Sequence, residues 1–139
     1  MTRFLLDTNV LSETVKPKPN IRVIHFLQGL GDAYISVLTI HELCYGIDLL
    51  PADSRRSIML TSKIEELLET FQDKILPIGP VEARTAAKLR ANAQQKGRTL
   101  HIVDTLIAAT AIVYGLTIAT HNINDFNELG IMLKNPWIA

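Results

Sequence analysis

Short apolar segments alternate along the chain with longer segments in which apolar residues recur every three or four positions. The short segments are followed by polar or turn-forming residues, and this pattern predicts β-strands. Four strands are predicted in this way, at residues 3–6, 33–36, 74–78 and 116–119. The Asp-Thr-Asn triplet after the first strand predicts an immediate change to a helix, which Asp7 or Thr8 caps.

The longer segments have the spacing of amphipathic helices. After the helix that follows Asp7, a second helix is predicted from Asn20, its cap, to Gly31. Its apolar stripe is predicted to consist of Ile21, Ile24, Leu27 and Leu30. Further helices are predicted at residues 38–50, 54–71 and 80–97.

A last, nearly uncharged helix is predicted over residues 106–114, opened by Asp104 and ended by Gly115. Strands that alternate with helices predict a mostly parallel sheet, because parallel strands need crossover connections. The expected fold is therefore a three-layer α/β/α architecture, in which residues 1–139 form a single domain.

Composition is that of an ordinary globular protein, with 47% hydrophobic and 20% charged residues. The formal net charge of zero argues against a protein that coats DNA, so any affinity for nucleic acid must come from local charge. Cys44, the single cysteine, and the absence of a basic-then-apolar leader predict a cytoplasmic location. No apolar run reaches the roughly 20 residues that a membrane span needs, so no membrane association is expected.

Four acidic residues are candidates for a site at the carboxyl edge of the sheet. Asp7 follows the first strand, Glu42 lies in the first turns of the helix after the second, Asp104 opens the apolar helix and Asp125 follows the fourth strand. Each by itself is more typical of a helix cap, a loop or a solvated helix face. Glu42 and Asp104, however, lie among apolar residues, where a carboxylate needs a partner. Because carboxylates that share a site repel one another and oxygen ligands suit hard cations, this pattern favours binding of Mg²⁺ or Mn²⁺.

Four sequence blocks resemble the VapC branch of the PIN-domain family, whose members are ribonuclease toxins of toxin–antitoxin pairs. In chain order these blocks are LLDTNVLSE, ISVLTIHELCYGI, DTLIAATAI and TIATHNINDF. Together they frame residues 4–126, and they match the family in both order and spacing. The resemblance implies a PIN-like fold and metal-dependent cleavage of RNA that leaves a 5′-phosphate and a 3′-hydroxyl.

The resemblance also implies roles for particular residues. Asp7, Glu42, Asp104 and Asp125 would form the acidic pocket, with Asp7 and Asp104 as the foremost metal ligands and Glu42 or Asp125 orienting the attacking water. The polar residues around the pocket would be Thr8, Asn9, Thr120 and Asn122. Relatives place the last acid at the position of either Asn122 or Asp125, and Cys44 stands where many of them carry a basic residue.

Partners follow from the same resemblance: an RNA substrate, a VapB-like antitoxin that covers the active-site groove, and a second copy of the chain in a homodimer. Arg84 and Lys88 are four residues apart and share a helix face, and Arg90 follows them, so these three are predicted RNA contacts. These three cations are equally well explained as part of a solvated helix face without a role in binding. His41 and His121 adjoin site residues, whereas Trp137 is interpreted as a packing residue.

Two other functions compete with the nuclease. One is a catalytically silent PIN-like module that binds RNA or protein, which the presence of all four acids argues against. The other is a phosphoacceptor receiver domain, which expects paired acids after the first strand and a lysine after the last. Here Asp7 stands alone, and the last predicted strand leads into Thr120, His121 and Asn122.

Overall fold

Strands and helices alternate along nearly the whole chain in the computed structural model, which describes residues 2–138. The elements in chain order are β1 (Phe4–Leu6), α1 (Thr8–Thr14), α2 (Ile21–Gln28), β2 (Ala33–Ser36), α3 (Val37–Asp48), α4 (Arg55–Thr70), β3 (Ile75–Leu76), α5 (Pro80–Gln95), α6 (Ile102–Tyr114), β4 (Thr117–Ala119), α7 (Ile123–Phe126) and β5 (Leu133–Lys134). The four predicted strands are confirmed, three of them at shorter lengths. Sequence patterns did not predict α7 or β5, because four and two residues are too few to show a period.

The strands form one sheet in the order β3-β2-β1-β4-β5, and every pairing in it is parallel. The first strand is therefore the central one. The chain builds outward from β1 through β2 to β3 and then returns to the other side of β1 with β4. In sheets of this kind the two strands at the reversal leave a crevice beyond their carboxyl ends.

Helices cover both faces of the sheet, which confirms the three-layer architecture. Neighbouring strand residues point to opposite faces, so Leu6 belongs to one core and Leu5 to the other. The first core includes buried side chains from α1, α2, α3 and α4, and the second includes those of α6 and α7. Among residues 2–138, no helix combines the length and apolarity required to cross a membrane.

The start of α6 corrects one prediction. Asp104 was expected to cap this helix, but the cap is His101, whose Nδ1 accepts a hydrogen bond from Val103 N at 3.3 Å. Asp104 lies in the first helical turn instead. Because the backbone at the helix start is satisfied by His101, the Asp104 carboxylate is left available for other contacts.

The second helix also differs from its prediction. Asn20 is its cap, as expected, but α2 ends at Gln28, with Gly29 rather than Gly31 at its C-terminus. The predicted stripe is partly wrong, since Ile21 is 62% exposed while Val23 is fully buried. A strict three-residue step drifts off a helix face that repeats every 3.6 residues, so the buried face runs through Val23 instead of Ile21.

Candidate active site

Asp7 stands at the crevice where the strand order reverses. It follows β1 directly, and Thr120 follows β4 directly. The two strands pair in register, Leu6 beside Ala119, and Asp7 N donates a hydrogen bond of 2.9 Å to the Ala119 carbonyl. Residues far apart in sequence, Asp7 and Thr120, thus meet at the carboxyl ends of adjacent strands.

The Asp7 carboxylate is 7% exposed and well supplied with hydrogen bonds. Its Oδ1 accepts from Thr8 N at 2.9 Å, and its Oδ2 accepts from Thr120 Oγ1 at 2.8 Å and from Asn9 Nδ2 at 3.2 Å. Burial raises the pKa of Asp7 above its ordinary value, as do the charges of Glu42 and Asp125, while the bonds from Thr120 and Thr8 oppose the rise. The side chain is therefore held in one orientation.

A second layer of hydrogen bonds fixes these donors. The Thr120 hydroxyl oxygen, fully buried, accepts from Asn9 Nδ2 at 3.3 Å and from Asn122 N at 3.0 Å. Asn9 Oδ1 in turn accepts from His121 N at 3.1 Å. Thr120 and Asn9 thus lie where the sequence predicted polar neighbours of the acids, whereas Asn122 takes part through its backbone. Their contribution to activity stays a prediction.

Glu42 approaches the site from α3, the helix that follows β2. Its Oε1 accepts a short hydrogen bond of 2.6 Å from the Thr8 hydroxyl, which also lies within hydrogen-bonding distance, 3.1 Å, of the Thr39 hydroxyl. Thr8 therefore contacts two acids, Asp7 through its backbone N–H and Glu42 through its side chain. Thr8 thus links the two carboxylates through hydrogen bonds.

Asp104 reaches the same place from the first turn of α6. Burial raises the pKa of Asp104 to about 6, and the neighbouring charges of Asp125 and Asp7 add to the rise. Among residues 2–138, no side chain donates a hydrogen bond to this carboxylate. Asp104 is thus an acid close to other acids, and the charge of His101 offsets only part of their effect on its pKa.

Three of the four predicted acids, Asp7, Glu42 and Asp104, line one open cavity of about 400 Å³. The fourth, Asp125, is exposed on α7 and is absent from the cavity wall. It nevertheless lies close enough for its charge to raise the pKa of both Asp7 and Asp104. The structure therefore brings three acids together and places Asp125 at the edge of the group.

Other residues of this cavity were not predicted as site residues from the sequence. Lys16 lies on its wall, with Nζ 2.8 Å from Oε1 of Glu13, and Asn20 N donates to the other oxygen of Glu13 at 2.8 Å. Trp137 and His121 line it too, as stacked rings. The three-residue spacing of Glu13 and Lys16 was the available signal for the ion pair; nothing in the sequence placed the C-terminal Trp137 beside the acids.

The predicted RNA contacts lie elsewhere. Arg84, Lys88 and Arg90 are exposed on α5, and none of them lines the cavity of the acids. Arg98, by contrast, donates to the backbone carbonyls of Asn124 and Asn127, so it holds the segment around α7 in place. A role in RNA binding for the three cations on α5 stays a prediction.

The residues present suit a hard divalent cation. Asp7, Glu42 and Asp104 line one open cavity, and Mg²⁺ is ordinarily bound by one or two carboxylates while water completes its shell. Among residues 2–138, no three Asp, Glu, His or Cys side chains converge closely enough to hold one ion directly. The site therefore fits an ion that keeps part of its water, and does not resemble a closed zinc cage.

The raised pKa of Asp104 predicts a pH dependence of stability in chelator. The folded protein binds the Asp104 proton more tightly than the unfolded chain, so this group destabilises the folded state increasingly as pH rises from about 4 to about 6. We expect Asp104→Asn to be more stable than the unmodified chain at pH 7 by about 1 kcal/mol, allowing for solvent screening of a half-exposed group. The gain should vanish near pH 4, which thermal unfolding at both pH values will measure; equal gains at both would contradict the assignment.

Comparisons with known proteins identify the family of this chain. Residues 4–131 match the PIN domain. The chain is 36% identical to the toxin FitB of Neisseria gonorrhoeae over 96% of its own length and 97% of that protein. It is 34% identical to the VapC ribonuclease Y4jK of Sinorhizobium fredii, covering 96% of each chain.

A solved structure gives the same result. The crystal structure of FitAcB from Neisseria gonorrhoeae superposes with a TM-score of 0.91 at 36% sequence identity, over 98% of this chain and 99% of that one. The match extends through all four sequence blocks and both faces of the sheet. With its acids gathered beyond the carboxyl ends of a parallel sheet, the chain belongs to the PIN-domain family.

Proposed function

We propose that this chain is an endoribonuclease that hydrolyses RNA phosphodiester bonds with the help of Mg²⁺ or Mn²⁺ and acts as the toxin of a toxin–antitoxin pair. The observation that carries the proposal is the single open cavity lined by Asp7, Glu42 and Asp104. The ribonuclease and toxin names of its relatives support the same activity.

In this proposal Asp7 and Asp104 hold the cation. A bound divalent cation supplies a nucleophilic water at neutral pH and offsets the charge that develops on the phosphate. Asp7 is kept in position by Thr120 and Asn9, so it is preorganised and loses little freedom on binding. No side chain among the described residues holds the Asp104 carboxylate by a hydrogen bond, and a bound cation would offset the repulsion between this carboxylate and the neighbouring acids.

Glu42 is the better placed of the two acids proposed to orient the attacking water. It lines the cavity and is held by the Thr8 hydroxyl, whereas Asp125 lies outside the wall. A carboxylate fixed in this way can accept a hydrogen bond, and then a proton, from a water directed at phosphorus. The resemblance to VapC proteins suggests products with a 5′-phosphate and a 3′-hydroxyl.

Cleavage of a mixed RNA pool by the purified full chain tests the proposal. The reaction is run with Mg²⁺, with Mn²⁺ and with chelator, after any co-purified antitoxin has been removed. We expect cleavage with either metal and none with chelator. A folded, antitoxin-free preparation that leaves RNA intact under all three conditions would overturn the nuclease assignment and favour a silent binding module.

Lys16 is predicted to bind a substrate phosphate. It carries the one ammonium group among the described residues of the cavity wall, and its side chain is 60% exposed despite the ion pair with Glu13. We expect Lys16→Gln to weaken binding of single-stranded RNA several-fold at low salt and to reduce the slope of log K against log salt by about 1. Fluorescence anisotropy over a salt series measures both.

Two variants control for this effect. Lys18→Gln removes an exposed charge two residues away, outside the cavity wall, and should leave the slope nearly unchanged. Lys16→Arg keeps the charge and should restore most of the affinity. An unaltered slope in Lys16→Gln would mean that Lys16 does not bind a substrate phosphate. Arg84, Lys88 and Arg90 would then remain the candidate RNA contacts.

An antitoxin is the proposed protein partner. Next to the acids lies an apolar groove of about 320 Å³, lined mainly by Val15, Leu43, Ile47, Leu50, Met59 and Leu60. Ser12, Lys16 and Glu42 line both this groove and the acidic cavity. A tail of a VapB-like antitoxin bound along the groove would therefore end at the acids and block access of RNA to them.

Two further parts of the proposal come from the sequence, and a third, the dimer, comes from the resemblance to VapC proteins. Residues 1–139 act as one domain, the protein works in the cytoplasm, and two copies associate. Ile112, Val113 and Tyr114, exposed together at the end of α6, offer apolar surface for such a contact. Size-exclusion chromatography with light scattering tests for the dimer, and a monomer at all concentrations would rule the proposed dimer out.

A further inference from the structure

Two aromatic rings at the rim of the acidic cavity have no part in the chemistry described so far. His121 and Trp137 stack with their ring centroids 4.3 Å apart and their planes at 21°. Both line the same cavity as Asp7, Glu42 and Asp104. The sequence interpretation made Trp137 a packing residue, and the structure bears this out for part of the ring, which packs against the first core.

His121 is anchored to the residues around Asp7, and Trp137 is anchored to α2 and to the C-terminal segment. His121 follows Thr120, the donor to Asp7, and its backbone N–H donates to Asn9 Oδ1. Trp137 N donates to Asn135 Oδ1 at 2.9 Å, and the Trp137 carbonyl accepts from Arg22 Nη1 at 3.4 Å. The stack therefore sits at a set position relative to the catalytic carboxylates.

Exposure differs between the two rings. Trp137 is partly buried, whereas His121 is exposed. One face of the imidazole lies against the indole, which leaves the other for a third flat ring. Nucleobases of unpaired nucleotides stack on aromatic side chains in this way, and bases inside a duplex cannot, because both of their faces are already covered.

We propose that His121, backed by Trp137, is a stacking platform for one unpaired nucleobase next to the phosphate that occupies the acidic cavity. This inference rests on the proposed function and names the residues that would position an unpaired base of the substrate. Stacking tolerates any base, so the platform would orient the strand without reading its sequence. Lys16, on the same wall, would contact a phosphate of that strand.

The test is a binding measurement that does not depend on cleavage. Full-length protein carrying Asp104→Asn is titrated by anisotropy with a labelled single-stranded RNA of mixed sequence, and with a ribose-phosphate oligomer of the same length without bases. We expect addition of His121→Ala to weaken binding of the RNA about tenfold, and to leave binding of the abasic oligomer nearly unchanged. The imidazole is exposed, so the variant should fold, which thermal unfolding verifies.

A matched control is available on α3. His41 is also an exposed histidine stacked on an aromatic ring, Tyr45, at 6.2 Å, and it does not line the acidic cavity. His41→Ala in the Asp104→Asn background should therefore bind both oligomers like its parent. If His121→Ala reduces affinity for both oligomers equally, or for neither, the stacking platform is wrong.

The stacking platform and the nuclease activity can each fail without the other. RNA cleavage by the unmodified chain together with no base-dependent loss in His121→Ala would overturn the platform and keep the nuclease. Base-dependent loss without any cleavage by the unmodified chain would keep the platform and overturn the nuclease. No binding of the RNA by the Asp104→Asn protein overturns the platform whatever the cleavage result.

Discussion

Asp104→Asn is expected to lower metal-dependent RNA cleavage by at least about 100-fold, the scale of losing a group worth several kcal/mol to the transition state. Asn has nearly the same shape as Asp but no charge, so it weakens binding of a cation without removing volume. The loss should appear at saturating RNA, because the affected step is chemistry rather than substrate binding. Single-turnover cleavage of a labelled RNA measures it.

The effect of Asp104→Asn on protein stability tests the same assignment independently of cleavage. Replacement of a residue that merely supports the fold lowers the stability of the protein. Asp104→Asn should instead raise it at pH 7, because the substitution removes a charge that is partly buried and repelled by Asp125 and Asp7. Asp73→Asn, at an exposed turn position away from the cavity, is the matched control and should change neither property. Full cleavage by Asp104→Asn would refute the site.

The largest effect on stability is expected from Leu5→Ala. Leu5 is fully buried in the central strand and belongs to the second core, so its truncation leaves a cavity that the sheet cannot collapse to fill. We expect a loss of about 2–5 kcal/mol in the free energy of unfolding. For a domain of ordinary stability this is a large part of the total, and urea unfolding measures it.

Leu49→Ala makes the same truncation at a side chain that is 68% exposed. It should cost no more than about 0.5 kcal/mol. The comparison isolates burial, since the chemical change is identical in both variants. Similar losses at the two positions would mean that Leu5 does not occupy the interior of the sheet.

Local rules made much of the fold predictable from the sequence. Asp7 caps α1, Asn20 caps α2 and Pro80 opens α5, each for reasons confined to a few neighbouring residues. Asp104 was predicted to open α6 because aspartate is a preferred cap before an apolar run, whereas the observed cap, His101, is not a residue that this rule favours. When two nearby residues could cap the same helix, the backbone conformation determines which of them does so.

The acids of the site were predictable for a different reason. Asp7 and Asp125 follow strands and Glu42 lies in the helix after one, and the strands of a parallel sheet bring their carboxyl ends to one edge. Asp104 lies on a helix that follows another helix, so strand order alone did not place it. The four blocks that resemble VapC proteins pointed to the same residues. Neither the strand order nor the resemblance indicated that Asp125 would lie outside the cavity wall, because its position depends on the short helix α7.

The sequence by itself therefore determined four of the five strands, most helices and the parallel sheet, since these depend on short-range periodicity and on the order of the elements. It also singled out the acidic residues, through their positions along the chain and through the four blocks that resemble VapC proteins. Only the tertiary structure decided which strand is central, that Thr120 donates to Asp7, and that Lys16, His121 and Trp137 share the cavity of the acids. The physical reason is separation along the chain. Trp137 and Asp7 meet only after the whole sheet has formed, and no local pattern records a contact of that range.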